Sequence, residues 1–509
     1  MSDLPPILEA GAARLAAMLR TGDVSAVEIM QAHLDRIDAV NDVTDAPITA
    51  IVSRRDADDC IADAKQADAA LTEARASGAP LPALHGLPIA IKDLTATKGL
   101  RTSRGSPLYA EFVPEADAPL AAALRGAGAL VIGKTNTPEF GLGSHTLNPV
   151  FGPTRNPWDR GRSAGGSSGG AAAALAMRML PMADGSDMMG SLRNPAGWNN
   201  VIGFRPSVGR VPNGASEGDL YLHQLSTNGP MARSIADLAL LLDAMAGYDP
   251  AAPLSFGKRD VFAPGLASEA PEDWAKGLRI AWLGDWNGTW PMEDGVLETC
   301  EDALKVFESL GAEVTPFVPD FPWEKIWDSW TELRSWSVAA ANLPDYADEA
   351  RRAHLKPEAV WEIERGLAMS GLDVHRASVA RSDWHRCLEG VFDRFDLVAA
   401  PSAQLWPFPV MDRWPAEIAG RKMDTYHRWM ECVLPAMNNI RISPCSISGF
   451  STSDCTASMM IAMPALSSPP KSVVPSVVIS VAPISSLSSG FSSTVITLVS
   501  SPLRGISPP

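Results

Sequence analysis

The stretch from residue 161 to 207 constrains the fold of this 509-residue chain more than any other part of the sequence. It begins GRSAGGSSGG, in which Ser167 and Ser168 lie among glycines that permit unusual backbone dihedral angles and the close approach of a ligand. An alanine-rich helix is predicted from about 171 to 179, and its first-turn N–H groups would point back at the serines. A second glycine–serine pair, at 190–191, precedes another predicted helix start. The pattern therefore predicts that two loop-to-helix turns bring hydroxyl groups to one site.

Two alternative interpretations of this stretch are open. A flexible Gly/Ser linker would be polar and featureless, whereas helical and apolar segments interrupt this stretch. A phosphate cradle at a helix N-terminus is the second alternative, but the sequence lacks the Lys-Ser/Thr ending of a Walker loop. An active site is the favoured interpretation for these two reasons.

The composition favours a protein of the reduced cytoplasm. The net charge of −16 argues against nucleic acid and against an anionic membrane surface as partners. The six cysteines show no CxxC spacing, so neither a metal site nor a disulfide framework is predicted. The N-terminus lacks the apolar region of a secretion signal, and no apolar run reaches the roughly 18 residues of a membrane span. We therefore expect a cytoplasmic location, no metal, and no nucleic-acid or membrane partner.

Strand and helix signals alternate before the glycine-serine stretch, as in an α/β domain. Residues 86–92, GLPIAIK, form a near-continuous apolar run, which is typical of a buried strand ending at Lys92. A buried ammonium group is costly unless it is paired, and burial favours the neutral amine. A salt bridge from Lys92 to Asp93 or another acid is the structural alternative. A helix over residues 119–125 and the strand ALVIGK follow, which continues the alternation.

Several ordered motifs resemble the amidase signature family of serine hydrolases. GGSSGG is followed by GSDMMGSLRNPA, which places Ser191 24 residues after Ser167, and then by VIGFRPSVGRVP. Upstream, GLPIAIKD is similar to the lysine strand of that family, and VIGKTN and GPTRNPWD complete the pattern. The resemblance covers roughly residues 10–245 and is thinner afterwards. It implies an α/β amidase-signature fold, a mixed β-sheet core covered by helices on both faces.

The resemblance also implies how an unreactive amide carbonyl would be attacked. Such hydrolysis needs an activated nucleophile, a proton for the departing amine, and donors for the oxyanion. None of the eight histidines lies inside the signature, and His85, near the lysine strand, is interpreted as structural. By resemblance, Ser191 would be the acylated nucleophile, Ser167 the bridging hydroxyl after a cis peptide bond, and Lys92 the neutral base. Ser168 is the rival for the bridging role, and the spacing to the nucleophile favours Ser167.

An oxyanion hole is implied by the same resemblance, built from the backbone N–H groups of Met188, Met189, Gly190 and Ser191. Most relatives have two glycines before the nucleophile, whereas Met189 takes the first place here. Backbone donors survive any substitution except proline, so the hole persists if Met189 does not need a positive φ. Its longer side chain would then narrow the acyl pocket. Gly141 is predicted to line the substrate channel, and no cofactor is implied.

Three regions are predicted along the chain. Residues 1–76 form an N-terminal helical layer that starts with an amphipathic helix over residues 7–20. Residues 77–437 form the α/β core, with a helical insertion at about 321–395 whose tryptophans either line an acyl pocket or pack a core. Residues 438–509 form an atypical Ser/Pro-rich segment with four charged residues and twenty serines. This segment is either a frameshifted reading of the natural C-terminus or a divergent, partly disordered tail, and its runs VVPSVVISVAP and FSSTVITLV are candidate strands.

Three functions fit these observations. The first is an amidase that hydrolyses a non-peptide carboxamide C–N bond to a carboxylate and an amine or ammonia through an acyl-Ser191 intermediate. The second is the glutaminase subunit of a tRNA-dependent amidotransferase, which needs an ammonia channel and a partner subunit. The third is a non-catalytic binding protein that keeps the fold, motivated by Met189 and the unusual C-terminus. The amidase with a small-molecule amide substrate is favoured, and a homodimer is suggested by the resemblance alone.

Overall fold

The computed structural model of the chain describes residues 4–43, 45–213, 219–222, 224–256, 261–263 and 275–437, together with the strands Val477–Val481 and Thr494–Leu498. Its α-helices are α1 (Pro6–Glu9), α2 (Ala12–Thr21), α3 (Ala26–Val40), α4 (Ala57–Ser77), α5 (Pro119–Gly126), α6 (Gly169–Ala176), α7 (Arg193–Asn199), α8 (Ile235–Met245), α9 (Val296–Ser309), α10 (Trp323–Ala347), α11 (Glu349–Arg352), α12 (Pro357–Leu367) and α13 (Gly371–Phe392). Short 3-10 segments cover Pro107–Tyr109, Glu139–Gly141 and Arg428–Met437.

The β-strands follow the alternation predicted from the sequence. They are β1 (Ile51–Val52), β2 (Pro88–Lys92), β3 (Leu130–Thr135), β4 (Leu147–Asn148), β5 (Gly152–Pro153), β6 (Met182–Asp187), β7 (Ile202–Pro206), β8 (Thr227–Ala232), β9 (Arg279–Trp282), β10 (Glu313–Pro316), β11 (Leu397–Pro401), β12 (Glu417–Ile418), β13 (Arg421–Lys422), β14 (Val477–Val481) and β15 (Thr494–Leu498). Within the described ranges, eight of them form the main sheet, in the order β10-β9-β11-β14-β15-β7-β8-β6.

The main sheet is mixed, as predicted. β10, β9 and β11 run parallel, and the remaining pairs are antiparallel. A smaller sheet has the order β1-β3-β2, with β2 and β3 parallel. The two sheets meet where the backbone N–H of Lys92 donates to Asp184 Oδ1 on β6, at 2.9 Å. The C-terminal end of β2 therefore lies beside β6, the strand that leads into the second glycine–serine turn.

The N-terminal helices pack against the smaller sheet. Ser25 and Glu28 form the capping box that starts α3, in agreement with the sequence. The prediction of a single helix over residues 7–20 is wrong. The backbone leaves the helical conformation at Ala10, and a second helix begins at Ala12. The carboxylate of Asp237 accepts the N–H of Ala13 at 2.8 Å, so a side chain from a distant helix fixes this second start. The helices and both sheets share one buried apolar cluster.

The tryptophan-rich insertion packs as a second apolar cluster. Trp323, Trp330 and Trp384 are at most 5% exposed. The rings of Trp323 and Trp384 contact other tryptophans at edge or tilted angles. Trp361 is 38% exposed. The buried members therefore have a packing role. The division of the chain into three regions stays a prediction.

The two candidate strands of the C-terminal segment are confirmed as β14 and β15. They lie side by side in the middle of the main sheet, where β14 pairs with β11 and β15 pairs with β7. The rest of residues 438–509, and with it both hypotheses about their origin, lies outside the described residues. Among the helices that the structure describes, none has the length and apolar character needed to cross a membrane.

Candidate active site

Lys92 ends β2 in a fully buried position and faces three hydroxyl groups. Its Nζ lies 2.8 Å from Ser167 Oγ, 2.9 Å from Ser168 Oγ and 3.0 Å from Ser186 Oγ. In the described part of the chain, no carboxylate lies within ion-pair distance of Nζ, and Asp93 instead accepts from Ser103 Oγ at 2.5 Å. The predicted alternative, a salt bridge to Asp93 or another acid, is therefore wrong.

The protonation of Lys92 follows from this environment. Burial lowers the pKa of its amine to about 7, and the negative charges of Asp184 and Asp187 offset only part of that effect. A lysine with a pKa near 7 carries a substantial fraction of neutral amine at neutral pH. The group can therefore accept a proton from a hydroxyl that it touches.

The first glycine–serine turn has the geometry that the resemblance implies. The peptide bond between Gly166 and Ser167 is cis, and α6 begins at Gly169, directly after Ser168. The backbone N–H of Ser168 donates to the carbonyl oxygen of Ser191 at 3.2 Å. This bond joins the two turns, so the structure brings together the serine loops that the sequence predicted to converge.

The two neighbouring serines differ in what else they contact. Ser168 is fully buried, and its Oγ also lies 3.4 Å from both the N–H and the carbonyl oxygen of Ser186. Ser167 keeps 3% of its surface exposed and Ser191 keeps 7%. Ser168 thus links the lysine to the backbone of the next strand, whereas Ser167 and Ser191 retain accessible surface.

Ser186 is a site residue that the sequence analysis missed. It stands on β6 beside Lys92 and completes the set of hydroxyls around Nζ. The only sequence signal is a hydroxyl side chain in the segment GSDMMGS, close to Ser191. Nothing in that segment alone shows that β6 lies next to β2.

A buried carboxylate shapes the second turn. Asp187 accepts the N–H of Gly190 at 2.8 Å and that of Leu192 at 3.1 Å. Arg193 donates to both of its oxygens, and Arg205 Nε lies 3.5 Å away. Burial opposes ionisation, but the charges of the two arginines outweigh it and lower the pKa of Asp187 to about 2. The turn is therefore held by a permanently ionised carboxylate.

The N–H groups around the candidate nucleophile are not equivalent. That of Gly190 is donated to Asp187, while no acceptor among the described residues takes the N–H of Met188, Met189 or Ser191. Gly190 has φ +87°, whereas Met189 lies outside the positive-φ region. The Met189 side chain is 2% exposed and packs in the tryptophan-rich cluster. A methionine therefore fits this place without strain, and its backbone N–H stays available as a donor.

Gly141 lies next to the first serine turn. Its φ is +69°, and a Cβ at this position would come within 2.7 Å of Leu94 Cδ1 and 3.6 Å of Ser167 Oγ. A side chain at this position would be strained by the dihedral angle and would require Leu94 to shift. His85 lies elsewhere, with Nε2 2.9 Å from the carbonyl oxygen of Ala67, and takes no part in the site. Among the described residues, no group of three or more His, Cys, Asp or Glu side chains is arranged to hold a metal ion.

Comparison with known families identifies the family of this chain. The model of the family described as Amidase matches residues 28–466. The chain belongs to the amidase family. The resemblance seen in the sequence motifs is thus confirmed, and this amidase is an amide-hydrolysing enzyme.

Relatives and solved structures agree with this assignment. The amidase is 36% identical to the acylamidase of Rhodococcus erythropolis over 422 residues, which cover 81% of this chain and 83% of the relative. It is 42% identical to a glutamyl-tRNA(Gln) amidotransferase subunit from Burkholderia pseudomallei over 308 residues, 59% of each chain. The crystal structure of a bacterial aryl acylamidase of the amidase signature family superposes with a TM-score of 0.76 and 25% identity, covering 97% of this chain and 93% of the other. The predicted α/β fold is confirmed.

Proposed function

We propose that this amidase hydrolyses a small acyl amide through a covalent acyl-Ser191 intermediate, with Ser167 and Lys92 as the proton carriers. The observation that carries the proposal is the buried amine of Lys92, which has hydroxyls as its neighbours and lies 2.8 Å from Ser167 Oγ. A lysine kept near its neutral form beside a serine is a general base without histidine.

The first half-reaction begins with proton transfer. As Ser191 Oγ attacks the amide carbon, its proton passes to Ser167 Oγ, and the proton of Ser167 passes to Lys92 Nζ. The resulting tetrahedral intermediate collapses when the lysine ammonium returns a proton through Ser167 to the leaving nitrogen. The C–N bond then breaks, the amine departs, and the acyl group stays on Ser191. In the second half-reaction, a water molecule gives up a proton by the same route and attacks the acyl carbon. The ester bond to Ser191 then breaks, and the carboxylate is released.

The oxyanion hole in this proposal uses the N–H groups of Met188, Met189 and Ser191. Preorganised backbone donors stabilise the charge that develops on the carbonyl oxygen. Gly190 contributes differently, because its N–H is donated to Asp187 and its positive φ makes the turn. Gly141 lines the approach to Ser167 in the same proposal, which is supported by the 3.6 Å that would separate a Cβ at this position from Ser167 Oγ.

The substrate class follows from the better-covered relative. This chain matches 83% of the length of the relative named acylamidase. It matches only 59% of the length of the amidotransferase relative. We therefore propose a stand-alone acylamidase and do not favour the amidotransferase role. A cytoplasmic location is supported by the four cysteines in the described chain that carry free thiols. A homodimer stays a hypothesis.

Substitution of the nucleophile tests the proposal. Ser191→Ala should abolish hydrolysis of an acyl anilide and labelling by a fluorophosphonate, while circular dichroism and melting temperature stay those of the wild type. The matched control is Ser382→Ala, which removes the hydroxyl of an exposed serine on α13 and should change neither activity nor labelling. Wild-type rates in Ser191→Ala, or a label on another residue, would show that the assignment is wrong.

A further inference from the structure

A short segment, Glu139–Gly141 with Leu142, lies between the first serine turn and the helical insertion. Phe140 has φ +54° and Gly141 has φ +69°, so two successive residues adopt the left-handed region. That conformation is unfavourable for an aromatic residue and persists only where neighbouring contacts hold it. Because a Cβ at Gly141 would come within 3.6 Å of Ser167 Oγ, the position of this segment affects the space around the bridging hydroxyl.

Contacts from three directions hold the segment. The N–H of Phe140 donates to the carbonyl oxygen of Arg104 at 2.8 Å, and Ser106 Oγ donates to Glu139 at 2.7 Å. The third contact comes from the insertion, where Lys356 Nζ donates to the carbonyl oxygen of Leu142 at 2.7 Å. The first two contacts fix the start of the segment, and Lys356 fixes its end, next to Gly141.

The amine of Lys356 has an unusual setting for a lysine. It precedes α12, and no carboxylate within the described ranges lies at ion-pair distance from Nζ. Burial of much of the side chain lowers the pKa of Lys356 to about 8, although the nearby charges of Glu358 and Glu139 oppose this. Burial of the Lys356 amine is unfavourable for folding, and its hydrogen bond to the carbonyl oxygen of Leu142 offsets part of that cost.

We propose that Lys356 is a positioning residue for catalysis, which fastens the segment through Leu142 so that Gly141 stays against Ser167. This inference rests on the proposed function, because it assumes that Ser167 carries protons. Lys356 itself touches none of the reacting groups. Loss of its hydrogen bond releases the strained segment, and the geometry of Ser167 then becomes less productive for proton transfer.

A neighbouring cavity makes the inference testable by chemical rescue. Lys356 and Leu142 both line a cavity of about 540 Å³, whose wall also includes Tyr426 and Trp429. Truncation of Lys356 to alanine leaves a space continuous with this cavity. A propylammonium ion has the size and the N–H donors of the missing atoms, whereas tetramethylammonium has the charge but no N–H donor.

The experiment measures the rate at which a fluorophosphonate labels Ser191, together with kcat for an acyl anilide. Lys356→Ala and Lys356→Met should each lower both rates by about tenfold or more, with KM changed less than kcat and the melting temperature close to that of the wild type. Propylammonium should restore most of the rate to Lys356→Ala, and tetramethylammonium should not. Lys325→Ala, which removes a partly exposed lysine of the same insertion, is the control and should behave as the wild type.

The outcomes separate this inference from the proposed function. If the wild type is not labelled at Ser191, the proposed function fails and the inference fails with it. If the wild type is labelled and both Lys356 variants react at the same rate, the inference alone is overturned. A rate loss that comes with a large fall in melting temperature, and that propylammonium does not reverse, assigns Lys356 a purely structural role and also overturns it.

Discussion

The rate of amide hydrolysis should depend on pH through Lys92. The base must be neutral to accept the proton from Ser167, and the neutral form increases as pH rises through its pKa. With a pKa of about 7, roughly half of the amine is neutral at pH 7, roughly a tenth at pH 6, and roughly nine tenths at pH 8. The value of kcat/KM should therefore fall about fivefold from pH 7 to pH 6, fall about tenfold per pH unit below pH 6, and level off above pH 8.

A single substitution should move this profile in a known direction. Asp184 is buried beside Lys92, accepts its backbone N–H, and favours the ammonium form by its negative charge. Burial raises the pKa of Asp184 to about 6, so the carboxylate is mostly ionised above that pH. Asp184→Asn keeps an acceptor oxygen but removes the charge. The pKa of Lys92 should then fall, and the acid limb should move to lower pH by on the order of one unit.

The assay is kcat/KM for an uncharged acyl anilide between pH 5 and 9, with circular dichroism at each pH to confirm that the chain stays folded. A neutral substrate ensures that the profile reports groups of the free enzyme. Asp302→Asn, which changes a surface carboxylate paired with Lys305, is the control and should leave the limb in place. A rate that is constant from pH 5.5 to 8, or a limb that moves to higher pH in Asp184→Asn, would refute the role given to Lys92.

Two further predictions concern the serines and the buried ion pair. Ser167→Ala should lower kcat by about 10²- to 10⁴-fold because it interrupts proton transfer. Ser168→Ala should lower kcat less than tenfold, since the Ser168 hydroxyl contacts Lys92 and backbone groups. Equal falls in the acylation rates of the two variants would contradict this assignment. Arg193→Met should lower the free energy of unfolding by about 3–5 kcal/mol because it leaves a buried carboxylate short of its main partner. In urea titrations, the double variant with Asp187→Asn should recover part of the lost free energy of unfolding. If the losses of the two single variants simply add in the double variant, the pairing of Arg193 with Asp187 is refuted.

Much of the fold and the centre of the site could be predicted from local sequence signals. The apolar run that ends at Lys92, the capping box of Ser25 and Glu28, and the glycine–serine turns each depend on neighbouring residues. Predictions from such signals agree with the folded structure because the signals depend on local backbone preference and burial. The family resemblance further supported the choice of Ser167 and Ser191 by their spacing in the sequence.

The residues that escaped prediction act across long stretches of the chain. Asp237 binds the first turn of a helix that precedes it by more than two hundred residues, Ser186 meets Lys92 only because β6 lies beside β2, and Lys356 reaches Leu142 from the insertion. Each role depends on which elements become neighbours in the folded chain, and sequence spacing carries no information on that. The tryptophans of the insertion illustrate the same limit, because composition alone does not separate a binding pocket from a packed core.

The central position of β14 and β15 has a consequence for biosynthesis. Within the described strands, they alone separate β11 from β7, so the two halves of the main sheet join only after the ribosome has added residues near 498. A nascent chain that stops before residue 477 would leave one side of β7 and one side of β11 without a strand partner. Unpaired strand edges of this kind promote association between chains, so premature termination should yield insoluble protein rather than a smaller enzyme.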